Sequence, residues 1–224
     1  MIKRTKLSNR QLPIYTKGEE TMNMVTHIVG GGVGVIALVI CILKSVLNNN
    51  GSEIIGSVIY GTTMTTMYTV SSVYHGLNKP TSKKVMQIID HCVIYFLIAG
   101  TYTPILLAKF IPAYPIIGIS LLIAQWLLCF FATTLTAIDL HEYRVLSMIC
   151  YIAMGWSIIL FIPQTIFLLG AQGFLWLLAG GITYTIGAIL YGLGVKIRWM
   201  HSVFHIFVVL GSIFHLIAIF FYTL

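Results

Sequence analysis

Seven long runs of apolar residues divide the chain, and short gaps containing polar residues, proline or glycine separate them. A helix needs roughly 20 apolar residues to cross the hydrocarbon core of a bilayer. We place the runs at about 24–43, 54–75, 90–108, 114–134, 144–163, 173–194 and 201–222. The pattern predicts an all-α fold, a polytopic bundle of seven transmembrane helices. It forms one domain over 24–224, after a polar N-terminal segment over 1–23.

Two of the gaps are marked mainly by helix-breaking residues. Lys109, Pro112 and Pro115 interrupt the apolar stretch between the third and fourth runs. Pro163 and Gly170 punctuate the gap between the fifth and sixth runs. Because proline normally marks the end of a helix, both gaps are predicted as turns between spans.

The composition agrees with a membrane protein. Hydrophobic residues make up 58% of the chain and charged residues only 8%, whereas a soluble domain carries about 25% charged residues. So few charges cannot cover a water-facing surface, and the apolar side chains must face lipid. The four cysteines all fall inside apolar runs without CxxC spacing, so we expect buried thiols and no disulfide framework.

The net charge of +7 does not indicate a nucleic-acid partner, because the basic residues cluster in the gaps between runs. Counted by alternate gaps, eleven fall on one side of the membrane: Lys3, Arg4, Lys6, Arg10, Lys17, Lys79, Lys83, Lys84, Arg144, Lys196 and Arg198. Lys44 and Lys109 fall on the other. The positive-inside rule predicts a multi-pass protein of the cell membrane with a cytoplasmic N-terminus and an extracellular C-terminus.

Four ionisable residues are predicted at one membrane level, near the cytoplasmic face. His75 ends the second run, Asp90 begins the third, and His201 and His205 begin the seventh. Alternation of the helices places them at the same depth, although it does not bring them together laterally. Ionisable groups at membrane depth are costly and indicate a functional site.

The spacing of these histidines is compatible with a metal site. His201 and His205 lie four residues apart, on one face of a helix, and His75 could supply a third ligand. Three protein ligands and one open position are typical of a catalytic zinc. Asp90 could hold a water molecule, and Ser71, one turn from His75, could polarise a substrate carbonyl.

Simpler interpretations remain for each residue. The histidine pair could be an interhelical hydrogen-bonding pair. Asp90 could be a carboxylate favoured by a helix start, and the Ser71 hydroxyl could bond a carbonyl of its own helix.

Four stretches resemble the hemolysin III branch of the progestin and adipoQ receptor superfamily. They are EETMNMVTH at 19–27, SSVYH at 71–75, IDHCVIYFLIAGTYTP at 89–104 and HSVFHIFVVLGSIFH at 201–215. The resemblance implies that His75, His201 and His205 bind one zinc ion. It also implies that Asp90 contacts the zinc-bound water, and it aligns Ser71 with the serine of the second-span motif. Two first-span positions of the family match Glu20 and Asn23.

The other polar residues are interpreted more simply. Glu20, Asn23 and His27 form one stripe on the first span and either close the site or cap and pack the helix. His91 points about 100° away from Asp90 and is interpreted as structural. His215 lies about 15 Å beyond His205 along the helix, too far for the same metal.

Three functions fit these observations. The first is a zinc-dependent intramembrane hydrolase with ceramidase-like chemistry, acting on an amide or ester of a membrane lipid. The second is a cytolytic, pore-forming protein, as the hemolysin name implies. The third is a receptor or structural membrane protein whose metal only joins helices. Membrane lipid is the expected environment and candidate substrate, and neither the oligomeric state nor the identity of the metal follows from the sequence.

Overall fold

The computed structural model describes residues 5–224, and Lys3 and Arg4 of the basic N-terminal group lie outside this range. Its main helices are α1 (Lys17–Leu47), α2 (Gly51–Gly76), α3 (Pro80–Ile105), α4 (Pro115–Ile138), α5 (Arg144–Trp156), α6 (Ile162–Leu193) and α7 (Met200–Ala218). A π-helical turn, Leu106–Phe110, and a short helix, Ile111–Ala113, continue α3, and a second π-helical turn, Ile219–Thr223, continues α7. Short 3₁₀ segments lie at Leu7–Asn9 and Ser157–Phe161. The described residues contain no strand, which confirms the all-α prediction.

Local signals explain where the helices begin. Thr16 and Glu19 form a reciprocal capping box at the start of α1, and such a box satisfies backbone N–H groups that lack a partner in the first turn. Helix α1 therefore starts at Lys17, before the apolar run predicted from 24. The side chain of Asn50 caps α2 in a similar way by accepting from the N–H groups of Ser52 and Glu53.

Helices adjacent in sequence pack side by side, and α7 packs against both α6 and α1. The helices α1 and α2 approach closely, and a Cβ atom added to Gly61 would lie 2.5 Å from the Cα of Leu38. Gly30 likewise lies against the ring of Tyr68. Small residues at these positions bring the two backbones together, so that polar groups on α1 reach those on α2.

Five helical segments of the described chain are long and apolar enough to cross a membrane: Lys17–Leu47, Pro80–Ala113, Pro115–Ile138, Arg144–Leu193 and Met200–Thr223. Together with the helical fold they indicate a multi-pass membrane protein. Helix α2 is not among them, because serine, threonine, tyrosine and glycine dilute its apolar residues. The segment Arg144–Leu193 spans 50 residues and includes both α5 and α6. The count of seven spans therefore stays a prediction.

The chain between the fifth and sixth predicted runs breaks at one of the two residues named for that gap, Gly170, and not at Pro163. The α-helix of the fifth run ends at Trp156, a 3₁₀ segment follows, and Pro163 lies in the first turn of α6. Proline is tolerated there because the first N–H groups of a helix have no intrahelical acceptor. The break falls instead at Gly170, where φ is 70° and ψ is 167°, a conformation that glycine adopts readily. Helix α6 is therefore kinked within the predicted gap.

Candidate metal centre

Three histidines from two helices meet at one end of the bundle, which we call the histidine end. His75 lies in the last turn of α2, and His201 and His205 lie in the first turns of α7. One ring nitrogen from each lies within 4.8 Å of the others, and the Nε2 atoms of His201 and His205 are 3.1 Å apart. The structure thus brings together the residues that the sequence placed only at the same depth.

The outward nitrogens of two of these rings contact α1. The Nδ1 atom of His75 lies 2.7 Å from a carboxylate oxygen of Glu20, and Nδ1 of His205 lies 3.2 Å from the backbone oxygen of Asn23. Both oxygens only accept hydrogen bonds, so each Nδ1 carries the proton and donates it. The amide nitrogen of Asn23, which is itself a donor, lies farther from Nδ1 of His75, at 3.4 Å. In a neutral ring, a proton on Nδ1 leaves the lone pair on Nε2, and Nε2 of His75 is buried without a partner among the described residues.

Helix α1 supports the cluster through the stripe predicted from the sequence. Glu20 bonds His75 and also pairs with Lys83 of α3 at 2.7 Å. The Oδ1 atom of Asn23 accepts a hydrogen bond of 2.6 Å from the hydroxyl of Ser202. Asn23 is fully buried, so it links α1 to α7 without contact with solvent.

The chemistry of the cluster fits a metal ion that accepts imidazole ligands. At zinc–nitrogen distances of 2.0–2.1 Å, two ligands of a tetrahedral ion lie about 3.3 Å apart, close to the 3.1 Å between the two α7 nitrogens. Histidine ligands of zinc usually donate their other N–H to a carboxylate or carbonyl, as His75 and His205 do here. His75, His201 and His205 would hold the ion, and no carboxylate or thiol joins their group within the described chain.

Asp90 is outside the group of three histidines. Asp90 lies ten residues after Pro80, the first residue of α3. The alternative interpretation, that Asp90 is a carboxylate stabilised at the start of a helix, is therefore wrong. Its side chain is mostly buried and lies 3.9 Å from Nδ1 of His91. Burial raises the pKa of Tyr15, and the nearby Tyr191, Glu20 and Asp90 raise it further. The ring of Tyr15 stacks on His201 with ring centroids 4.9 Å apart.

Ser71 is buried on α2, one turn before His75. Its neighbour Ser72 bonds back to the carbonyl of Tyr68 at 2.7 Å. Among the described residues the hydroxyl of Ser71 has no such partner. The simple interpretation, a bond to its own helix, therefore describes Ser72 and not Ser71.

Two contributors at the histidine end were missed in the sequence. Glu19, buried at the start of α1, accepts hydrogen bonds from Thr16 and from the N–H of Trp199 at 2.7 Å, and so joins α1 to the start of α7. Tyr15 covers His201 from the N-terminal arm, residues 5–16. The capping pattern around Thr16 and Glu19 was a readable signal, whereas nothing near Tyr15 indicated its position.

Three further histidines are engaged elsewhere or exposed. The ring of His91 contacts the carbonyl of Gln87 at 2.8 Å and the hydroxyl of Tyr191 at 3.2 Å, as expected of a structural residue. His141 is exposed in the turn after α4. His215 contacts the carbonyl of Gly211 at 2.9 Å, towards the opposite end of α7.

The fold and the cluster describe a class: helical, multi-pass membrane proteins with three histidines converging at one end of the bundle. Comparison with known proteins identifies the family. The family model described as "Haemolysin-III related" matches residues 15–216, and the chain belongs to that family.

Curated relatives agree with the assignment. The chain is 36% identical over 206 residues to "Hemolysin-3" of Bacillus cereus, covering 92% of each chain. It is 33% identical over 209 residues to "Hemolysin-3 homolog" of Bacillus subtilis (strain 168), covering 93% of this chain and 96% of the relative. It is 26% identical over 180 residues to the human "Monocyte to macrophage differentiation factor", covering 77% of this chain and 72% of the relative.

Proposed function

We propose that the protein is a zinc-dependent intramembrane hydrolase that cleaves an amide or ester bond of a membrane lipid. The observation that carries the proposal is the convergence of three imidazoles. In His75 and His205 the contacts of Nδ1 with α1 leave Nε2 available to a metal ion. Three protein ligands leave one coordination position for a reactant, whereas structural zinc sites are usually closed by four protein ligands.

Zinc in this setting would polarise a carbonyl group and make water acidic enough to react at neutral pH. The chain supplies the other groups. Asp90 is a mostly buried carboxylate next to His91 on α3, and we assign it the role of orienting the attacking water and accepting its proton. Ser71 offers a buried hydroxyl that its own helix does not use, suited to hydrogen-bond the substrate carbonyl.

The orientation of the bundle supports a site near the cytoplasmic face of the cell membrane. Nine basic residues of the described chain lie in the arm before α1, at the first residue of α1 or of α5, around the start of α3, or just before α7: Lys6, Arg10, Lys17, Lys79, Lys83, Lys84, Arg144, Lys196 and Arg198. These positions belong to the histidine end, whereas Lys44 and Lys109 lie towards the opposite end. With seven spans, the positive-inside rule then gives a cytoplasmic N-terminus and an extracellular C-terminus.

The first experiment compares metal content in the detergent-purified wild type and in the His201→Ala/His205→Ala double variant. We expect about one zinc per wild-type chain and none in the variant. Both proteins are then incubated with a ceramide, a lipid amide, and with a diacyl phospholipid, a lipid ester, and the released fatty acid is measured. A folded, monodisperse wild type without metal, or equal release by both proteins, would overturn the proposal.

A cytolytic role is the second candidate, and the observation that favours it is the name of the Bacillus cereus relative, "Hemolysin-3". A secreted pore-former must be water-soluble before insertion, which five apolar spans make difficult. Purified protein in a pure lipid bilayer distinguishes the two functions. Discrete conductance steps that persist in the double histidine variant would favour the pore, and silent bilayers would exclude it.

A receptor or structural protein whose zinc only joins helices is the third candidate. It is favoured by the links between α1, α2 and α7 that surround the cluster. In that case removal of the metal lowers the melting temperature of the protein, while the wild type releases no fatty acid from either lipid.

A further inference from the structure

His27 lies against the cluster, and no described residue satisfies the nitrogens of its ring. It is 3% exposed, and among the described residues neither Nδ1 nor Nε2 has a hydrogen-bond partner. The ring stacks on His205 with centroids 3.7 Å apart and planes 15° apart. The edge-to-face ring of Tyr68 lies on another side, with centroids 5.0 Å apart.

A buried imidazole without partners is costly if it only packs. A neutral ring carries one donor and one acceptor, and each buried polar group left unsatisfied costs about 1–3 kcal/mol. Tyr68 cannot relieve this, because its hydroxyl is engaged with the Val208 carbonyl and with Ser212. A phenylalanine would fill the same space without this cost, so the nitrogens of His27 favour a partner that the described residues do not supply.

The geometry excludes His27 as a fourth ligand of the same ion. A histidine binds a metal through a lone pair in the plane of its ring, at 2.0–2.1 Å. Two nearly parallel rings with centroids 3.7 Å apart cannot both direct such a lone pair at one ion. Because His27 stacks on His205, its ring can instead form a hydrogen bond with a molecule that binds the same metal ion next to His205.

We infer that His27 hydrogen-bonds the oxygen ligand that shares the metal with the three histidines, namely a water molecule or the carbonyl oxygen of a lipid amide or ester. The inference rests on the proposed function. His27 lies seven residues beyond Glu20 on α1, about 10 Å further along the helix and towards the middle of the bundle. It therefore contacts the bound oxygen from the membrane interior, the side from which a lipid would arrive.

The test uses the full-length protein loaded with Co²⁺ and the oxygen ligand acetohydroxamate, whose binding changes the visible absorption of the metal. We compare acetohydroxamate binding by the wild type and by two variants. His27→Phe keeps the stacked ring, and His27→Gln restores an amide donor. His215→Phe is the matched control, because it removes another histidine that stacks on an aromatic ring. We expect one Co²⁺ per chain in all four proteins.

In His27→Phe the dissociation constant of acetohydroxamate should rise about 5- to 30-fold, as expected for one lost hydrogen bond. His27→Gln should recover part of that loss, and His215→Phe should bind like the wild type. Equal affinity in His27→Phe and wild type would overturn the inference, as would loss of Co²⁺ from a folded His27→Phe. If that variant does not fold, His27→Leu replaces it. A folded wild type that binds neither Co²⁺ nor Zn²⁺ would overturn the proposed function itself.

Discussion

The two ends of α7 carry the same side chain in different surroundings. At the histidine end, His201 and His205 meet His75, and acceptors on α1 engage the outward nitrogens of His75 and His205. Further along the helix, His215 contacts the carbonyl of Gly211 in its own helix and stacks on Tyr184 with centroids 5.1 Å apart. It lines a pocket of about 310 Å³ whose other walls are mainly apolar.

The difference shows that a histidine on a membrane helix becomes a candidate ligand through its neighbours. Helices α1 and α2 bring a carboxylate, a backbone carbonyl and a third imidazole to one end of α7. Near His215, α6 brings Gly180, against which the ring packs closely, and Tyr184. Four predictions test this contrast.

The largest effect is expected from His75→Ala. It removes the one ligand supplied by α2, so the affinity for zinc should fall by at least about 100-fold, more than a supporting residue usually contributes. His215→Ala is the control and should keep about one zinc per chain. Metal analysis of the purified proteins measures both. Equal zinc content in the two variants would remove the distinction between the ends of α7.

A smaller loss is expected from Glu20→Gln. The amide cannot match the charged acceptor that holds Nδ1–H of His75, and changes of this kind usually weaken metal binding about 10- to 100-fold. Glu53→Gln is the control, because Glu53 is also buried but accepts from Asn48 and Asn50, far from the cluster. Competition with a zinc chelator gives both affinities. Unchanged affinity in Glu20→Gln would show that α1 does not orient His75.

Gly180→Ala should destabilise the fold without loss of metal. The added Cβ would lie 2.5 Å from the His215 ring, and overpacking of this kind costs about 1–3 kcal/mol. Gly192→Ala is the control, because no atom lies within 4 Å of its added Cβ. Thermal unfolding in detergent and zinc content are measured together. If Gly180→Ala lost its zinc, the two ends would not be independent.

The smallest effect concerns the N-terminal arm at the histidine end. Burial acts to raise the pKa of Asp139, but hydrogen bonds from Thr5 and from the N–H groups of Glu142 and His141 outweigh it and hold that pKa below its usual range. The stabilisation that ionised Asp139 gives to the N-terminal arm is therefore complete above about pH 3.9, the pKa of an aspartate in the unfolded chain. It is lost as the pH falls below that value towards the lower pKa of Asp139 in the folded protein.

Hydrogen exchange at the Thr5 amide, which donates to Asp139 at 2.7 Å, measures this dependence. Protection should decrease below about pH 4, and Asp139→Asn should reduce it at every pH. Protection in the wild type that does not change with pH would contradict the assignment. The zinc content at neutral pH should be the same in both proteins.

The apolar runs predicted most of the helices because their length and composition are local properties. Their ends were less predictable. Helix α1 begins at Lys17 because Thr16 and Glu19 form a capping box, and α6 includes Pro163 and kinks at Gly170. The number of membrane crossings was not decided by the runs alone, since α2 is too polar to meet the same criterion.

For the site, the sequence by itself determined the residue types, the shared face of His201 and His205, and the stripe of Glu20, Asn23 and His27. Helical spacing dictates each of these within one segment. Only the tertiary structure decided that α2 meets α7 at His75, that the hydroxyl of Ser71 is not bonded to its own helix, and that His27 stacks on His205 without a partner. These are contacts between helices, and they depend on how the small residues of α1 and α2 let the backbones pack, which no spacing within a single helix can specify.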